Sequence, residues 1–250
     1  MNGIEADLDL AVGDFTEAAY ANLLSIAKAR FRFVGFDSAA DQSGIAIWRH
    51  DIDMSPHRAL KMAEIEALAG VRSYYFVMLG SRFYNPCEPT VTALIRRISS
   101  LGHVIGLHFD ASAYGGSLAT LEAALKNERN LLSGLIGKPI DCFSIHNPTA
   151  LGGAALTNLI HADLINASSP TLVKGFNYCS DSNGVWRHRR LVDLVNDLSV
   201  ERLYALTHPE WWTAKPLRPR ERVQLCIDGR ASQVGADYDI DIAKYGRPNY

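Results

Sequence analysis

The sequence predicts an α/β fold built on a mainly parallel sheet, and three observations predict it. Segments rich in β-branched and aromatic residues alternate with segments of helical periodicity from residue 45 to residue 207. About seven of them are strand-like, which suits a barrel of β/α units slightly better than an open sheet. Acids and histidines collect at the C-terminal ends of those segments, where parallel folds place their active sites.

In chain order, Asp14 with Glu17 reads as a capping-box variant that opens a leading helix over about residues 14–31. The first strand runs from Ile45 to about Asp51, and Ser55 followed by Pro56 is an N-cap with proline at the first helical position. That helix runs to Ala69 and stops at Gly70, and Ser73 to Leu79 is the next strand. A helix over Glu88–Ser100, a strand His103–His108, a helix Ser117–Leu135 and a strand Cys142–His146 follow. A weaker helix is expected over Gly152–Ile160, then short apolar segments at Ala162–Ala167 and Gly175–Cys179. A helix around Leu191–Leu198 and a strand Leu203–Thr207 complete the alternation. Beyond Thr213, TAKPLRPRERVQLCIDGRASQ suggests one more helix, and the polar end GADYDIDIAKYGRPNY is expected to be loosely held. The whole is read as one domain over 1–250, with a motif-bearing barrel at about 45–212 and a C-terminal extension at about 213–250.

With 250 residues, 48% hydrophobic and 21% charged, the chain has ordinary globular composition. A net charge of -2 gives no basic footprint for nucleic acid. The acidic start MNGIEADLDLAVGDF lacks the pattern of a signal peptide, and no apolar run reaches the length of a membrane span. A cytoplasmic protein is expected, with its oligomeric state left open. Cys87, Cys142, Cys179 and Cys226 have no C-x-x-C spacing and are expected to be reduced thiols.

Strand alternation places Arg49, Asp51 and Asp53 on one face. Two acids on one face need a metal, an arginine or a shared proton. Further strand ends carry Arg82 with Tyr84, His108 with Asp110, His146 with Asn147, Asp181 and His208. A lone histidine is more often a satisfied core residue than a ligand, and His50, His57, His103, His161 and His188 are read that way. Histidines and acids at successive strand ends point instead to a divalent metal, zinc first, and to metal-assisted hydrolysis. Trp211 and Trp212, directly after His208, suit either an apolar wall for a sugar ring or ordinary core packing.

WRHDID, GHVIGLHF, FSIHNP, YCSDSNGVW and LTHPEWW follow one another in the order and approximate spacing of the five motifs of the polysaccharide deacetylases, carbohydrate esterase family 4. The chain resembles that family over about Ile45–Trp212, in a divergent branch found among bacterial surface-polysaccharide genes. The resemblance implies a distorted (β/α)7 barrel, zinc or a similar divalent ion, and removal of N- or O-acetyl groups from a saccharide or sugar precursor. It makes Asp51 the general base, Asp53 and His108 metal ligands, and His208 the general acid with Asp181 as its orienting partner. Arg82, Tyr84, Trp186 and Trp211 are expected to bind substrate. Ser112 stands where the family's second motif carries a second histidine, and Arg49 stands in for the arginine that normally holds the base. His146 is the candidate third ligand; its alternative part is a hydrogen bond to Asp51 or substrate. The competing readings are an inactive barrel that binds glycan or a partner in polysaccharide assembly, and a metal hydrolase acting on a different amide or ester.

Overall fold

Thr16, not Asp14, caps the leading helix: its hydroxyl accepts from Ala19 N at 3.1 Å, and α1 (Glu17–Arg30) follows. Asp14 is drawn away by Arg190 and Trp186, whose side chains donate to its carboxylate. The computed structural model describes residues 12–38, 42–115, 117–148, 164–186 and 189–248, so the expected helix over Gly152–Ile160 lies outside the described residues.

After α1 come β1 (Arg32–Phe33), β2 (Ile45–Ile52), α2 (Pro56–Ala69), β3 (Tyr74–Val77), α3 (Pro89–Ser100) and β4 (Val104–Phe109). Then follow α4 (Leu118–Ile136), β5 (Cys142–Ile145), β6 (Ile165–Asn166), α5 (Pro170–Val173), β7 (Asn177–Ser180), α6 (Leu191–Asn196), β8 (Arg202–Thr207) and α7 (Pro219–Lys244). The local signals for α2 act as expected: Ser55 Oγ accepts from Arg58 N, and Gly70 closes the helix in the left-handed region at φ 67°. The two-residue β1 was not expected, because so short a strand leaves no period to read. α7 continues through GADYDIDIAK to Lys244, where a loose end was expected. Side-chain bonds one turn apart, Gln224 to Asp228 and Gln233 to Asp237, both 2.8 Å, support it.

All described strand pairs are parallel, in the order β6-β5-β4-β3-β2-β8-β7 with β1 added beside β2. The sheet curls into a distorted (β/α) barrel whose edge strands β6 and β7 do not pair with each other. Side chains tie the opening from within: Arg49 on β2 and Tyr204 on β8 both donate to Ala167 O, just past β6, at 2.8 and 2.7 Å.

β2 is buried along its whole length, and its alternation divides the interior. Ile45 and Ile47 pack inside the curl with Phe76, Cys142 and Tyr204. Space there is short, since a Cβ on Gly106 would lie 2.5 Å from the Phe76 ring. Ala46 and Trp48 face the opposite way, into a core shared with α1 and α6. Residues of α2, α3 and α4 cover β3 to β5 in the largest core cluster.

His50 also faces outward, and it meets Glu66 of α2 there at 2.7 Å. Glu66 is fully buried and accepts from Tyr75 at 2.6 Å and from Tyr20 and Ser73. His103 joins through Ser73 at 3.1 Å, and Thr207 bonds the other nitrogen of His50 at 2.6 Å. Both histidines thus take the structural part expected of them. Burial opposes the Glu66 carboxylate, but His50, His103 and the hydroxyl outweigh it and hold it down at about 2.

A carboxyl group whose folded pKa lies below its unfolded value stabilises the fold above the unfolded pKa, and loses that contribution as pH falls through the folded one. Glu66→Gln should therefore cost about 3 kcal/mol at pH 7. The gap to the wild type should close between pH 4.5 and about pH 2. Urea denaturation of both proteins across that range checks it, and a constant gap would remove the charge from the explanation.

Candidate metal and catalytic site

The C-terminal ends of the strands open on a cavity of about 780 Å³ lined by Arg49, Asp51, Asp53, Arg82, His108, His146, His208 and Trp211, among others. Asp51 is on β2 and Asp53 one residue beyond it, His108 is on β4, and His146 and His208 directly follow β5 and β8. Parallel pairing brings them together, because each strand delivers its last side chains to the same rim.

Asp53, His108 and His146 form a triangle. Asp53 Oδ1 lies 3.2 Å from His108 Nε2 and 3.7 Å from His146 Nδ1, and the two imidazole nitrogens are 3.1 Å apart. Ligands at 2.0–2.1 Å around a tetrahedral zinc ion stand about 3.3 Å apart, so the three atoms have the spacing such an ion needs. Asp53 Oδ1 is buried and has no hydrogen-bond partner. The donor set and the orphaned oxygen together fit a divalent cation. Burial opposes the Asp53 carboxylate, yet His108, His208 and His146 outweigh it and hold it down at about 2. Burial and the neighbouring His108 push His146 below the ordinary imidazole value, toward the neutral form that binds metals.

Ser144 fixes how His108 is presented. The register pairs the two residues across β4 and β5, and Ser144 Oγ lies 2.6 Å from His108 Nδ1 while donating to Asp51 Oδ1 at 3.2 Å. A hydroxyl whose proton goes to the carboxylate accepts from Nδ1–H, which leaves the Nε2 lone pair facing Asp53 and His146. The Asn147 amide lies 2.8 Å from His146 Nε2. Cation binding at His146 Nδ1 requires that this amide present its oxygen, which a half-turn accomplishes without moving either residue.

Asp51 is held by Arg49, whose Nη2 donates to Oδ2 at 3.1 Å. On the other side of the cavity His208 Nδ1 meets Asp181 Oδ1 at 2.7 Å, and Asp181 also accepts from His208 N and, at 3.0 Å, from Trp212 Nε1. Burial works against the His208 imidazolium, but Asp181, then Asp53 and Glu210, outweigh it and raise it to about 10. His208 is therefore a proton donor throughout the neutral range.

Two of the residues expected to bind substrate are placed elsewhere. Tyr84 is buried and spends its hydroxyl on strand ends, donating to Ile52 O at 2.8 Å and accepting from Met78 N at 3.0 Å. Trp186 stacks on Phe15 with centroids 4.8 Å apart and donates to Asp14. Neither lines the cavity, whereas Arg82 and Trp211 do. Ser112 lines it too, but its N and Oγ are bonded to Asp110 at 3.0 and 2.6 Å. Sequence reasoning missed Ser144 and Glu210. The first depends on strand register; the second stands two residues after His208, in plain sight. Glu210 is 1% exposed with both carboxyl oxygens unpartnered, and burial, then the charge of Asp53, push its pKa well up.

No protein-family model and no curated protein matches the chain. Solved structures similar to it include a chitin deacetylase from the fungal pathogen Colletotrichum lindemuthianum, at 14% identity and TM-score 0.47 over 80% of this chain and 86% of that one. A polysaccharide deacetylase from Bacillus cereus matches at 14% and 0.45 over 76% and 88%. A family 4 acetyl xylan esterase from Clostridium thermocellum, in complex with a cobalt ion, matches at 16% and 0.43 over 81% and 92%. Similarity this low identifies neither the substrate nor the reaction of this chain.

If the triangle is a cation site, His108→Ala and His146→Ala should each weaken zinc binding by at least about a hundredfold. Ser112→Ala and Asp110→Ala should stay within about threefold of the wild type. Competition titration against a chromophoric chelator measures all four; wild-type affinity in His146→Ala would remove that residue from the ligand set.

Proposed function

We propose that the protein is a divalent-metal-dependent hydrolase that removes acetyl groups from a saccharide or sugar precursor. The observation that carries the reading is the Asp53, His108 and His146 triangle set between a carboxylate held by arginine and a histidine held protonated by aspartate. The motif resemblance in WRHDID, GHVIGLHF and LTHPEWW supports the acetylated saccharide as the substrate class. Trp211 and Phe83 in the wall, with Arg82 at the rim, offer apolar and polar surface to such a molecule.

The ion, held by Asp53, His108 and His146, would supply Lewis acidity toward a carbonyl oxygen and lower the pKa of water. Asp51 is the base. Arg49 and Ser144 fix both of its oxygens, and each oxygen keeps a lone pair for the proton of the attacking water. His208 is the acid: Asp181 holds its Nδ1, which leaves Nε2 to protonate the departing amine or alcohol. The water oxygen bonds to the acyl carbon and the C–N or C–O bond breaks, giving acetate and the freed sugar. The proton left on Asp51 returns through solvent to recharge His208. The inactive-barrel reading rests on Ser112; His146 Nδ1, 3.1 Å from His108 Nε2, supports the active reading as a candidate for the third ligand.

Acetate release from acetylated chito- and xylo-oligosaccharides by the zinc-loaded protein tests the proposal. Asp51→Asn and His208→Ala should each lower kcat by about a hundredfold to ten-thousandfold, with zinc affinity within a few-fold of the wild type. A wild-type protein that binds zinc but releases no acetate from either substrate class would leave the site without this reaction, and unchanged kcat in either variant would cancel that residue's part.

A further inference from the structure

The two adjacent tryptophans after His208 take different directions. Trp211 lines the cavity, whereas Trp212 turns away from it, is 1% exposed, and reaches Asp181 from behind. The turn Pro209–Trp211 makes this possible: Trp211 N donates to His208 O and Trp212 N to Pro209 O, both at 3.1 Å, so the chain folds back on itself. Among the described residues, every hydrogen bond to the fully buried Asp181 carboxylate comes from residue 208 or residue 212. These bonds are not equivalent. The His208 amide is shared between the two oxygens, at 3.0 and 3.1 Å, and does not choose between them. The imidazole takes Oδ1 at 2.7 Å, and the Trp212 indole takes Oδ2 at 3.0 Å. A carboxylate turns about the bond that carries it unless both oxygens are claimed, so the indole keeps Oδ1 aimed at His208 Nδ1.

Trp212 is itself seated on the segment that precedes β1. Its ring packs against Tyr20 at 4.7 Å and Phe15 at 5.3 Å between centroids, and both of those residues are fully buried. The backbone just beyond it is pinned to the same segment. Thr213 N donates to Phe15 O at 3.0 Å and Glu17 N to Thr213 O at 2.9 Å, around a parallel bridge between Thr16 and Thr213. The motif-bearing stretch ends at Trp212, so the support of its proton donor comes from residues outside that stretch.

We propose that Trp212 is a positioning residue for the general acid: its indole N–H holds Asp181 so that His208 keeps the orientation in which Nε2 meets the leaving group, and residues 15–20 form the seat of the indole. The catalytic consequence rests on the acid role given to His208 above, whereas the hold on Asp181 and His208 exists whatever the reaction. Core packing alone needs the ring of Trp212 and not its N–H. That difference separates a positioning part from a structural one.

Three changes in the full, zinc-loaded chain test the proposal. Trp212→Phe removes the N–H and keeps an aromatic ring, and benzothienylalanine at the same position removes the N–H while keeping the shape of the side chain. Trp186→Phe makes the same chemical change in a neighbour of the same aromatic cluster, whose indole donates to Asp14 instead. Both changes at position 212 should lower kcat about tenfold to a hundredfold, with KM and zinc affinity within about threefold of the wild type. Both should also move the proton resonance of His208 Nδ1–H. Trp186→Phe should leave kcat and that resonance as in the wild type, even where it lowers the melting temperature. A wild-type resonance in the benzothienylalanine protein, or an equal loss of kcat in Trp186→Phe, overturns the proposal. A wild type that releases no acetate would cancel the reaction proposed above, and the resonance would still decide whether the indole holds the Asp181 and His208 pair.

Discussion

A guanidinium enclosed by a sheet has to find a counter-charge and hydrogen-bond acceptors within reach, and Arg49 finds them in places that shape the barrel. Its Nη2 takes Asp51, and its Nη1 takes Ala167 O and the Tyr204 hydroxyl. The first bond fixes the carboxylate read here as the base. The others draw the end of β6 toward β2 and β8, across a gap that strand pairing leaves open. Breaking a buried pair of this kind by removing one partner typically costs about 3–5 kcal/mol, because the remaining charge stays buried. The same cation thus organises both the curl of the sheet and the position of Asp51, and the rest of the site is arranged from Asp51 through Ser144 to His108.

Strand parity keeps two polar networks apart in one eight-residue strand. Arg49 and Asp51 turn into the cavity, while His50 between them turns out to Glu66, Tyr20 and Thr207. The outer network's side-chain hydrogen bonds run to Glu66, Tyr20, Tyr75, Ser73 and His103, and through Thr207 it holds the end of β8, from which His208 follows. A one-residue slip of β2 would exchange the two sets and leave both without partners.

Those parts of the structure that depend on near neighbours were legible in the sequence. Ser55, Pro56 and Gly70 set the bounds of α2, and the strand ends named Asp51, Asp53, His108, His146 and His208 as one group, which the fold brings to one cavity. What depends on register or on distant packing was not legible. Ser144 acquires its place only when β5 is aligned with β4, so that His108 stands opposite it. Trp186 and Tyr84 sit near motif residues in sequence, yet Asp14 claims the indole of one and the backbone of β2 and β3 the hydroxyl of the other. The length of α7 was hidden by its polarity, since Asp and Gly depress helix propensity while the supporting bonds are between side chains one turn apart.

Charge balance explains why the cavity suits a cation and why the Glu210 carboxyl is pushed up from its ordinary value. Asp51 is matched by Arg49, and Asp181 by the His208 imidazolium. Asp53 has only imidazoles around it, and those act as metal ligands when they are uncharged. Among the described residues, Asp53 therefore has no arginine or lysine partner. Burial, then the charge of Asp53, therefore push the Glu210 carboxyl well up from its ordinary value, against a second negative charge beside Asp53.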